Sequence, residues 1–102
     1  MALAGLLDSE VRLTIDAGDS TGGERTGRAL VMRALAAQIA RHPDGTLNVV
    51  HVNGAHALAI RDADGDVSGL IVIRAGWRGT IVELWLTTAP GKLAGWNRVT
   101  AD

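Results

Sequence analysis

The chain is 102 residues long, 47% hydrophobic and 21% charged, with a net charge of −1 and no cysteine. That length supports a single domain, residues 1–102, with one core. The near-zero charge offers no electrostatic pull toward nucleic acid or an anionic membrane, and the absence of cysteine removes disulfides, thiol nucleophiles and zinc–thiolate centres. Three Trp with no Phe and no Tyr imply an aliphatic core and exclude tyrosine-hydroxyl chemistry. No apolar run approaches the ~20 residues of a membrane helix, and MALAGLL lacks the basic n-region of a signal peptide. The expected location is therefore cytoplasmic.

In chain order, MALAGLLDSE reads as the tail of a truncated first helix followed by a turn. VRLTIDAG alternates, with Val11, Leu13 and Ile15 on one side and Arg12, Thr14 and Asp16 on the other, which predicts a strand. GDSTGGERTG reads as a glycine-rich loop, and Thr26 as the N-cap of the next segment. RALVMRALAAQIAR places Val31, Leu35 and Ile39 at helical spacing and stops at His42-Pro43-Asp44-Gly45.

Four β-patterned runs follow, near 46–53, 55–62, 67–75 and 80–88, separated by Asn53-Gly54, Asp64-Gly65 and Arg78-Gly79. Two-residue loops at these points put Leu47, Val49, His51, His56, Leu58, Ile60, Ile71, Ile73, Leu84 and Leu86 on one face. The other face receives Val50, Val52, Ala55, Ala57, Ala59, Leu70, Val72, Arg74, Glu83 and Trp85. A one-residue slip would scramble the aliphatic face. The predicted fold class is α+β: a curved antiparallel β meander with helices packed on one face. The second face is too apolar to be simply wet, and calls for a cover such as a partner subunit or another domain.

One helix, a β meander and a short final helix resemble the cone fold of the SnoaL-like, or nuclear-transport-factor-two-like, superfamily. The run VNGAHALAIRDADGDVSGLIVIRAGWRGTIVELWLTTAPGKLAGW resembles the C-terminal extension of a group of extracytoplasmic-function sigma factors. That group shows an Asn-Gly step, a D-G-x-hydrophobic hairpin and a final strand ending in Asn-Pro-Asp-Lys-Leu. Here the last motif stands as Ala89-Pro90-Gly91-Lys92-Leu93, and the group's Asp-Gly-Gly-Gly-Lys loop stands as Asp16-Ala17-Gly18-Asp19-Ser20. The resemblance implies that the last loop lies near the linker joining the sigma core to the extension and affects sigma activity, a role that carries over onto Pro90, Lys92 and Leu93 alone. Asp16 and Gly18 of the first loop are candidate interaction residues. Substitution at Ala89 and Gly91, and loss of two glycines and the lysine from the first loop, are departures from the pattern. The implied partners are the sigma-factor core of a longer parent protein, with indirect association to RNA polymerase, or a second copy in a homodimer.

Catalytic candidates are sparse. His51 and His56 face each other in the register, but a zinc site needs a further ligand, so no metal is expected. Asp16 would need desolvation to act as a general base, and otherwise reads as a carboxylate capping its own turn. TGGERTG precedes a helix yet lacks the lysine and spacing of a phosphate loop. Trp85 among small residues suits an interface anchor, and Arg74/Glu83 a cross-strand pair beside it. The expected function is a non-catalytic interaction domain without cofactors. The alternative is a small SnoaL-like enzyme or ligand-binding protein, isomerase- or hydrolase-like, using Asp16 and the histidine pair in the cone.

Overall fold

The computed structural model describes residues 5–52 and 55–94. Its elements are β1 (Leu7–Asp16), β2 (Gly23–Thr26), α1 (Arg28–Ala40), β3 (Thr46–Val52), β4 (Ala55–Arg61), β5 (Val67–Ala75) and β6 (Ile81–Thr87). They form a mixed α+β structure around one six-stranded sheet in the order β2-β1-β6-β5-β4-β3. β1 runs parallel to β6, and the other neighbouring strands are antiparallel.

The meander keeps the register expected from the sequence: His51 faces His56, Leu58 faces Ile71, Ile73 faces Leu84 and Arg74 faces Glu83. Two of its turns are nevertheless built differently. At the β4–β5 turn the Asp62 amide donates to the Asp66 carbonyl and the Gly65 amide to the Asp62 carbonyl, which makes a three-residue loop. At the β5–β6 turn Gly76 and Thr80 close the same loop, with Gly79 in the role of Gly65. Gly65 (φ 87°) and Gly79 (φ 84°) occupy the left-handed position this turn requires. A bulge in each ladder, between Ile60 and Arg61 and between Arg74 and Ala75, then absorbs the extra residue. Loop gain and bulge cancel, so the faces come out as two-residue turns would have placed them. The Asn53-Gly54 turn lies outside the described residues, as does Trp96.

The cone face carries the core. Leu7, Val11 and Leu13 of β1 pack with Ile60, Ile71, Leu84 and Leu86 beneath Val31 and Leu35 of α1. At roughly 25 cal/mol per Å² of apolar surface removed from water, such a layer is the main source of stability. Ile39, on the same helical stripe, stays 44% exposed because it lies in the last turn of α1. The second face has its own small cluster, in which Leu93 packs against Ala59, Val67 and Leu70. The closing helical turn thus covers part of that face, while α1 packs on the aliphatic side.

Three expectations at the start of the chain fail. Leu7–Glu10, read as helix tail and turn, belongs to β1, and only residues 5–6 of the described part precede it in helical form. Gly23–Thr26, read as loop, is a strand paired with Arg12–Ile15. Thr26 ends that strand, and the N-cap is Gly27, without a side-chain cap. The start of α1 is fixed instead by the Arg28 Nε donating to the Leu7 carbonyl at 3.0 Å.

Candidate functional site

The parallel pairing of β1 with β6 decides which loops meet. Both strands end at the same edge of the sheet, with Asp16 beside Thr87. The Thr88 amide donates to the Asp16 carbonyl at 2.9 Å. Beyond it, Pro90 enters a helical turn over 90–94, where its fixed φ and missing N–H suit a first helical position. The Ala89 carbonyl accepts from the amides of Lys92 and Leu93 at 3.0 and 3.2 Å. Leu93 is buried, which aims Lys92 back across the sheet edge.

There the Lys92 Nζ donates to the Asp16 Oδ2 in an ion pair. The Gly18 amide donates to the Asp16 Oδ1 at 3.3 Å, the turn-capping bond expected of this carboxylate. The hydrogen bond from Lys92 holds the Asp16 carboxyl below its ordinary value of 3.8, against a smaller opposing effect of desolvation. A general base working near neutral pH needs the reverse shift. Asp19 is likewise lowered, through bonds from the Thr21 hydroxyl and amide.

His51 and His56 are adjacent, ring centroids 4.6 Å apart and tilted by 49°, and both are exposed. Among the described residues, no three His, Cys, Asp or Glu side chains converge on a point where a metal could bind. Asp16 does not join the histidines. By strand alternation it belongs to the second face, and β4 lies three strands from β1, about 14 Å at the usual strand spacing. The cone itself holds an apolar cavity of ≈ 80 Å³, lined entirely by aliphatic residues, among them Leu35 and Ile39 of α1 and Leu47, Ile71 and Leu84 of the sheet.

On the second face Glu83 sits between two guanidiniums, 2.8 Å from Arg74 and 3.6 Å from Arg12. The sequence pointed to Arg74, but Arg12 enters only through the parallel β1–β6 pairing, which places it beside Glu83. Trp85 follows in the next facing row, between Thr14 and Val72, and is 37% exposed.

No family model and no curated protein matches the sequence. Solved structures do match. A SnoaL-like family protein from Agrobacterium tumefaciens, whose name proposes an isomerase, superposes with a TM-score of 0.60 at 13% identity, over 83% of this chain and 75% of that one. A SnoaL-like protein of unknown function from Burkholderia thailandensis gives 0.57 at 15% identity, over 83% and 76%. An NTF2-like protein of unknown function from Mesorhizobium loti gives 0.58 at 24% identity, over 84% and 74%. The chain has the SnoaL-like, NTF2-like cone fold.

Proposed function

We propose that the chain is a non-catalytic interaction domain that modulates transcription initiation in the manner of the SnoaL-like extension of an extracytoplasmic-function sigma factor. The observation that carries this reading is the Asp16–Lys92 ion pair, which joins the Asp16–Ser20 loop to the Ala89–Leu93 loop. These are two of the segments in which the sequence resembles that group. Further support comes from what the residues cannot do together: the lowered Asp16 carboxyl is a weakened base, and the histidines lie on the other face. Docking through the paired loops, with Trp85 and the Arg74–Glu83 pair offering a second contact, fits these groups better than acid–base chemistry does. The aliphatic cavity favours a second reading, a small ligand-binding or isomerase-like protein acting on an apolar molecule.

An immunoblot of source cells with an antibody to this chain separates the two. The regulatory reading expects a band far above 10.6 kDa, and Lys92→Ala in that longer product should change transcript yield in vitro without changing its melting temperature. A band at 10.6 kDa, or unchanged transcript yield, removes the sigma role.

A further inference from the structure

The sheet has two outer strands, and they differ in kind. β2 is four residues long, and its sequence GERT carries two charges. Short, charged edges resist pairing with other chains. β3 is seven residues long, TLNVVHV, with no acidic or basic residue apart from one histidine and no proline. No described strand pairs with its outer side. In an antiparallel ladder every second residue turns its amide and carbonyl away from its partner, so β3 presents a row of such groups outward. Beside that row on the cone face, Leu47 is 49% and Val49 65% exposed. Ile39 of α1, also exposed, shares the cavity wall with Leu47.

We propose that β3 pairs antiparallel with β3 of a second copy of this chain, about a two-fold axis through Val49, joining two six-stranded sheets edge to edge. The occupant follows from the segment's own pattern. Centred on Val49, the register sets Val49 opposite Val49 of the second copy, Leu47 opposite its His51 and Asn48 opposite its Val50. The two exposed valines meet at the axis, each leucine lies against an imidazole, and no carboxylate, lysine or arginine faces another. A charged peptide would find no opposite charge on this strand. A slip by one residue would turn the second copy's cone face to the other side and separate the exposed valines. One strand edge buries less than the ~1,000 Å² expected of a firm interface, so the dimer forms with rising concentration. This contact is separate from Trp85 and from the paired loops, and stands or falls independently of the regulatory reading.

Sedimentation of the full chain from low micromolar to millimolar concentration tests it, with an expected rise from 10.6 kDa toward twice that mass. Val49→Lys places two like charges at the axis and should hold the chain at monomer mass, while Trp85→Ala should leave the rise unchanged. Because the chain has no cysteine, Val49→Cys gives a second readout that does not rely on a destabilised variant. Facing Cα atoms in such a pair lie ~4.5–5.5 Å apart, within the range a disulfide spans, so oxidation should give a covalent dimer. Leu47→Cys should not cross-link to itself, since the two copies of position 47 lie about 13 Å apart along the ladder. A monomer at every concentration, equal cross-linking of both cysteine variants, or a dimer lost on Trp85→Ala but kept in Val49→Lys would each overturn the proposal.

Discussion

The carboxylate of Asp16 and the ammonium of Lys92, 76 positions apart in sequence, form an ion pair across the end of the sheet. The contact exists because β1 and β6 are parallel, so that the loops leaving them emerge side by side. It binds the last described turn of the chain to the first strand, and it holds the Asp16 carboxyl below its ordinary value.

The pair predicts a specific pH dependence. Asp16 titrates lower in the folded chain than in the unfolded one, so its contribution is fully present above the unfolded value near 3.8. It is lost as pH falls through the lowered folded value. Wild type should therefore melt higher than Lys92→Met at neutral pH, with the two curves converging in acid. Asp16→Asn should track Lys92→Met throughout. Thermal unfolding from neutral pH to about pH 2 checks this, and a gap of constant size at every pH would refute it.

Gly18 should tolerate alanine less well than Gly65. Both have positive φ, 78° and 87°, and a side chain there costs ~1–2 kcal/mol. A Cβ on Gly65 meets nothing within 4 Å, whereas one on Gly18 lies 3.2 Å from the Ala89 Cβ and presses the two loops apart. Denaturant midpoints should fall for both variants and further for Gly18→Ala. Equal losses would mean that the loops yield freely.

The meander was legible because its strands alternate cleanly and a loop-plus-bulge turn preserves the faces of a two-residue turn. Leu58, Ile71, Ile73 and Leu84 therefore lie on the face their alternation indicates, although the turns at Gly65 and Gly79 hold three residues instead of two. β2 was illegible because GERT has no alternation and is held by backbone bonds to β1. The polar run Asp8-Ser9-Glu10 hid the first half of β1 in the same way. At the site, Asp16 and Lys92 could each be named from motif order. Their meeting depended on a parallel pairing between the first and last strands, which no local pattern encodes. Arg12 was missed for the same reason.

Burial separates the two ends of the cone face. Leu86 is 1% exposed within the core cluster, and Leu86→Ala should cost ~2–5 kcal/mol. Leu47, half exposed on the outer strand, should cost under ~1 kcal/mol when cut to alanine in the monomer. Urea unfolding at low concentration measures both. Comparable losses would place the core further toward β3 than the packing indicates.

Glu83 should matter more to stability than either of its partners. Its side chain is only 13% exposed, and Glu83→Ala leaves Arg12 and Arg74 facing each other with no counter-charge. Removing Arg74 leaves Arg12 to balance the acid, so Arg74→Ala should cost about 0.5 kcal/mol or less, in the range of exposed pairs. Glu83→Ala should cost ~1–2 kcal/mol, since it strands two cations instead of freeing one. Adding Arg74→Ala to Glu83→Ala should then restore part of the loss, because one of the repelling charges is gone. Chemical denaturation of the two single variants and the double variant tests this. Strictly additive losses would mean that Arg12 and Arg74 do not sense one another, and that the charged row on this face is three independent side chains.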